Sequence, residues 1–155
     1  MDYRVTLTSL SPREAVADAL HRCIIGIDDN NPTMFESACV KNESISILVG
    51  DNTIQGWTAV NEYMSKKIMP LRTTHFISNI RVDLKDHADT ASMTAHAIAY
   101  HTRPEDAFKP ENISYTTAGL YFMDLIRDGD DGLWKIQKWK LKLQWTEGDR
   151  VIITG

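Results

Sequence analysis

The feature that most constrains this chain is a change of hydrophobic period near residue 70. Ahead of it, apolar residues recur at helical spacing. Behind it, Thr73 to Leu84, Thr90 to Thr102, Ile113 to Arg127 and Leu133 to Trp145 alternate with a period of two and read as four long strands. The Lys85 to Asp89 turn, a loop from Pro104 to Pro110 and the run Asp128-Gly129-Asp130-Asp131-Gly132 separate them. Helices first and long antiparallel strands after them predict an α+β layout.

The helical part is well punctuated. Ser11, Pro12 and Glu14 form a capping-box start, after which Val16, Leu20, Cys23, Ile24 and Ile27 make one buried stripe that ends between Gly26 and Asn30. Asn31 and Pro32 open a short second helix burying Met34, Phe35 and Cys39, and Trp57 to Met69 reads as a third, stopped by Pro70. Ser44 to Val49 predicts a strand between them, ended by Gly50-Asp51-Asn52. In the last strand Trp134 and Ile136 share one parity, whereas Trp139, Leu141, Leu143 and Trp145 share the other. A β-bulge near Gln137-Lys138 would keep all six on the buried face and bend the strand around a cavity.

The 155 residues suffice for one domain, 1–155, with the tail from Thr146 to Gly155 open to three roles: covering a pocket, pairing with another subunit, or remaining partly unordered. Seventeen basic against twenty-one acidic residues, a net charge of −4, leave no basic field for a nucleic acid backbone. Lys135, Lys138, Lys140 and Lys142 read as the wet face of a strand. Cys23 and Cys39 lie in apolar patterns and read as buried free thiols. No run has the length of a signal peptide's apolar core or of a membrane span, so no membrane partner and a cytoplasmic, reducing compartment are expected. Nucleotide loops, the GxSxG elbow and HExxH are missing, which leaves acid–base work on a small molecule with no cofactor.

Three ionisable residues stand out in this apolar setting. Asp28 closes the first helix, where the macrodipole disfavours a negative charge; it serves either as a turn and capping group or as a site carboxylate with a partner. His75 shares its strand face with Ile77 and Asn79 and is either structural or catalytic. His101 lies on the face of Met93, Ala95, Ala97 and Ala99, small residues that leave room for a cavity, whereas His96 points the other way. Zinc on Asp28, His75 and His101 is chemically permitted, but no spacing here is metal-specific and no metal is expected. His21 and His87 read as solvated.

Read together, Ile27-Asp28-Asp29 with Phe35 and Cys39, Leu71-Arg72-Thr73-Thr74-His75-Phe76-Ile77, Tyr100-His101-Thr102-Arg103, and Leu133-Trp134-Lys135-Ile136 with Trp145 resemble the SnoaL-like, scytalone dehydratase-like branch of the NTF2-like superfamily. The resemblance spans about Ser11 to Asp149 and implies a cone, with helices closing one end of a curved, mostly antiparallel sheet that encloses a pocket. It also implies homo-oligomers, dimer or trimer, associating through the sheet's outer face. For the site it implies that Asp28 orients His101 while His75 acts as second acid/base. Where that branch carries two tyrosines that hold a substrate carbonyl through water, this chain has Ile27 and Leu48, and a polar pair on the fourth strand becomes Thr117 and Gly119. Carbonyl polarisation then needs another donor, from Tyr63, Tyr115, Tyr121 or Asn79.

The expectation is a cofactor-independent dehydratase, isomerase or cyclase acting on a small, mostly apolar hydroxylated carbonyl metabolite such as a polyketide or terpenoid intermediate. Ile24, Ile27, Ile77, Met93 and Ala97 are the expected pocket lining. Two rivals share the fold: a non-catalytic binding or dimerisation module, and the small subunit of a ring-hydroxylating oxygenase.

Overall fold

A computed structural model describes residues 2–155. The capping box forms as read: Ser11 Oγ accepts from the Glu14 amide, Glu14 accepts from the Ser11 amide, and helix α1 runs from Pro12 to Asp28. Helix α2, Pro32–Ser37, follows after a turn in which the Asn31 side chain accepts from the Met34 amide. The two helices touch at Gly26, where a Cβ would overlap the Phe35 backbone.

Strands β1 (Ser46–Val49) and β2 (Asn52–Gln55) form a tight hairpin, whose second arm was not foreseen because four residues carry too little pattern. Helix α3 (Trp57–Tyr63) continues as one wide π-helical turn, Met64–Ile68, where a regular helix to Met69 was expected. Strands β3 (Arg72–Asp83), β4 (Thr90–Thr102), β5 (Ser114–Arg127) and β6 (Trp134–Gly148) complete one sheet of order β2-β1-β6-β5-β4-β3. Every pairing is antiparallel except β1 with β6, so the sheet is mixed.

Three bulges bend it. The one expected near Gln137 is present: Asp124 pairs with Lys138 and Leu125 with Ile136, leaving Gln137 over. Trp134, Ile136 and Trp139 are accordingly buried on the concave face. A second bulge, at Gln144, corrects the expectation for Trp145. Ala118 pairs with Trp145 and Gly119 with Leu143, so the extra residue turns Trp145 to the convex face, 50% exposed. The third lies in β3, where Ser78 pairs with His96 and Arg81 with Thr94, so Asn79 and Ile80 together oppose Ala95. Asn79 takes a left-handed backbone (φ 53°) and the parity flips, placing Ile80 and Val82 against the core and the Asn79 side chain beside His96 on the outside.

The α1 stripe, Phe35, and the concave faces of β4 to β6 make the core. Arg22, 2% exposed, ties it together: it pairs with Asp18 at 3.0 Å and donates to the Ser37 carbonyl at 2.5 Å and the Trp134 carbonyl at 2.7 Å, locking both helices to β6. Cys23 and Cys39 are free and buried. Lys138, Lys140 and Lys142 are exposed as expected, whereas Lys135 is buried between Asp128 and Asp131. Among the described residues no helix is long and apolar enough to cross a membrane. The tail is ordered into helix α4 (Val151–Thr154), with Ile152 buried.

Candidate active site

The register of the sheet makes the site. Thr73 pairs with His101 and His75 with Ala99, so the two histidines are diagonal neighbours on one concave face, with small Ala99 leaving space between strands. Their rings meet edge to face, centroids 5.8 Å apart. Helix α1 packs on β3, the edge strand, and its last residue lands beside His75.

Asp28 therefore serves His75, which corrects the expectation that it orients His101. Asp28 Oδ1 accepts from His75 Nδ1–H at 2.6 Å and from the Thr73 hydroxyl at 2.8 Å, while Oδ2 accepts from the His75 amide at 2.9 Å. Three donors on one carboxylate explain how a negative charge survives at a helix C-terminus. Burial pushes the Asp28 pKa up, but the hydrogen bonds and charge of His75 and the Thr73 bond outweigh it and hold the carboxyl below its ordinary range. With Nδ1–H committed to the carboxylate, Nε2 is the free base of the ring.

His101 is built differently. It is 5% exposed, and its Nδ1–H donates to the Tyr115 carbonyl at 3.0 Å. Burial lowers its pKa, a shift opposed by the Tyr115 bond and reinforced by the charge of His75. His101 is thus held as a neutral ring whose Nε2 accepts a hydrogen bond.

Both histidines line a cavity of about 890 Å³. Its wall is mostly apolar, with Ile27, Ile47, Ile54, Met64, Ile68 and Trp139, and includes Tyr63, Tyr115, Thr117 and Tyr121. Burial raises the Tyr63 pKa, with Arg150 opposing. Ile27, Tyr63 and Thr117 stand where the sequence reading put them. Leu48 does not: Ile47 and Val49 face the cavity and Leu48 alternates to the other side, beside Lys140. Asn79 is exposed on the convex face because of the β3 bulge. Ile24, Ile77, Met93 and Ala97 pack into the core instead of lining the cavity, since α1 lies directly on that part of the sheet.

Of the tail, Arg150, Ile153 and Thr154 form part of the cavity wall. Trp139 and Arg150 are wall residues that the sequence reading did not single out; the parity of β6 beyond Gln137 was the available signal for the first. Among the described residues no group of three or more His, Cys, Asp or Glu side chains is arranged to hold a metal ion.

Comparisons with known proteins agree with this architecture. The profile of the SnoaL-like domain matches residues 8–140. The terrestric acid biosynthesis cluster protein E of Penicillium crustosum is 35% identical over 147 residues, 94% of this chain and 92% of that one. The solved structure of a type 2 hexachlorocyclohexane dehydrochlorinase (LinA) superposes with a TM-score of 0.70 at 20% identity, covering 88% of each chain. A candidate scytalone dehydratase from Novosphingobium aromaticivorans does so with 0.68 at 21% identity, covering 88% of this chain and 86% of the other. With a family profile spanning most of its length and this helix-capped curved sheet, the chain belongs to the SnoaL-like domain family and has the NTF2-like fold.

Proposed function

We propose that the protein is a cofactor-independent acid–base enzyme that eliminates water from, or isomerises or cyclises, a small and mostly apolar hydroxylated carbonyl metabolite. The observation that carries this is the Asp28–His75 pair, bonded at 2.6 Å with the imidazole lining an apolar cavity. A carboxylate behind an imidazole fixes its tautomer and stabilises the imidazolium that forms on proton uptake. In a dehydration, His75 Nε2 takes the proton from the carbon next to the carbonyl and returns it to the departing hydroxyl, which leaves as water. His101 Nε2, an acceptor, orients that hydroxyl.

A relative from a biosynthetic gene cluster and fold neighbours named as a dehydrochlorinase and a candidate scytalone dehydratase support a catalytic reading. The cavity accommodates a metabolite of one or two rings. The test is a panel of cyclic β-hydroxy ketones followed for loss of water by mass spectrometry. Turnover by the wild type that collapses in His75→Ala and Asp28→Asn supports the reading; turnover unchanged in both variants refutes it.

The convex face supports homo-oligomer formation. Phe76, Ile98, Ala118 and Trp145 lie in one cross-strand row by register, with Tyr100 alongside. Phe76 is 61% exposed in the isolated chain. An apolar row in the middle of a sheet face is the surface a second copy would cover.

A further inference from the structure

The cavity wall holds a polar atom with nothing to bond. Trp139 is 4% exposed and lines the cavity, and its Nε1–H is the one buried side-chain nitrogen or oxygen without a hydrogen-bond partner among the described residues. Native structures leave few such donors unpaired, because each forfeits its hydration and gains nothing for it. A binding pocket is the setting where the missing partner is a ligand atom.

Its neighbour is a second donor. Met123 pairs with Trp139 and Tyr121 with Leu141, which makes Tyr121 and Trp139 diagonal neighbours on the concave face. Their rings meet edge to face with centroids 5.1 Å apart. Tyr121 also lines the cavity and is 5% exposed. Burial, with the negative charge of Asp28 adding to it, raises its pKa, so the phenol keeps its proton. Tyr121 and Trp139 line the same cavity as His75.

We propose that Trp139 Nε1–H and Tyr121 O–H form the donor pair that binds the substrate's carbonyl oxygen and stabilises the negative charge it acquires when the adjacent carbon gives its proton to His75. This rests on the acid–base reading above and names the group that reading lacks. The C–H bond breaks, its proton goes to His75 Nε2, and its electron pair forms the enolate double bond while the carbonyl π pair moves to oxygen. Collapse of the enolate expels the β-hydroxyl, which takes the proton back from His75 and leaves as water. Two preorganised donors in an apolar wall supply the stabilisation that water gives in solution. They also supply a carbonyl donor where the cavity wall carries the apolar Ile27, and the substrate class narrows to compounds with a carbonyl adjacent to the C–H that is cleaved.

The probe is 4-nitrophenol, whose planar phenolate imitates an enolate and whose ionisation is visible by colour. Wild-type protein is expected to bind it in the ionised form, the proton passing to His75. Trp139→Phe and Tyr121→Phe are each expected to weaken phenolate binding about tenfold or more, as loss of a hydrogen bond to a charged oxygen requires. A readout on unaltered protein stands beside them: among the four tryptophan indole N–H resonances, the one in contact with the Tyr121 ring moves downfield on binding. Equal affinity in both variants with a stationary indole resonance overturns the donor pair, and so does a wild type that binds no 4-nitrophenol. His75→Ala separates the two ideas, for it retains the indole shift but loses the ionisation. Ionisation that persists in His75→Ala counts against the dyad and leaves the donor pair standing.

Discussion

Replacing Asp28 by Asn keeps the shape of the side chain and removes its charge, and the consequence follows from counting donors. Three donors converge on the two carboxylate oxygens, two on Oδ1 and the His75 amide on Oδ2. Asparagine offers one oxygen. If it keeps the Thr73 hydroxyl and His75 Nδ1–H satisfied, its NH2 faces the His75 amide, donor against donor; the flipped amide pairs all three groups only by making Nδ1 an acceptor, which moves the ring proton to Nε2 and abolishes the free base. Where the Nδ1–H tautomer is kept, one buried donor goes unpaired, at a cost of about 1–3 kcal/mol. For a domain of this size 2 kcal/mol lowers Tm by roughly 4–8 °C.

The pH dependence carries the sign. Asp28 has a lower pKa folded than unfolded, so its contribution is fully present above the ordinary carboxylate value of about 4 and is lost as pH falls through the lower folded value. The gap between wild type and Asp28→Asn, measured by urea unfolding, should hold constant from pH 7 to 5 and close below about pH 4. Asp29→Asn, an exposed neighbour with no side-chain hydrogen bond among those described, should change stability by under ~0.5 kcal/mol. An Asp28→Asn protein as stable as wild type at pH 7 with the His75 proton still on Nδ1 by NMR, or a gap that survives acid, would falsify the three-donor account.

Other perturbations have outcomes of known direction. His75→Ala should lower turnover about a hundredfold or more, and His101→Ala only about tenfold, because the first removes the base and the second an acceptor; steady-state rates rank them. His101, with a pKa lowered by burial, stabilises the fold above its unfolded pKa of about 6.5 and loses that contribution as pH falls, so His101→Gln should flatten the unfolding curve between pH 6.5 and 5. Arg22→Ala, which strands the Trp134 and Ser37 carbonyls, should cost about 3–5 kcal/mol of stability in urea. Phe76→Asp with Trp145→Asp should leave the cavity intact and reduce the particle's mass to that of one chain in sedimentation.

Much of this was legible as periodicity. The capped first helix and the strand succession follow from apolar spacing, and the Gln137 bulge follows from a break of parity in β6. The same sign was present in β3, where Ile77 shares one parity and Ile80, Val82 and Leu84 the other, yet reading that strand as regular put Asn79 in the pocket. The Gln144 bulge left no such mark, because Leu143 and Trp145 are both apolar and either suits a buried face. The choice of histidine lay beyond the sequence for a geometric reason. His75 and His101 share one face of adjacent strands, and what selects His75 is that α1 ends over the edge strand, a matter of how helix and sheet cross.

The central claim is that His75, backed by Asp28, removes a carbon-bound proton inside this cavity. Deuterium exchange tests it most directly, since it registers the base even where the leaving group is wrong. Cyclic ketones with and without a β-hydroxyl would be incubated with the protein in D2O and the protons beside the carbonyl followed by NMR. The account predicts exchange catalysed by the wild type and by His101→Ala, and exchange at the background rate in His75→Ala. Exchange as fast in His75→Ala as in the wild type, or a panel in which the wild type never exceeds background, would contradict it.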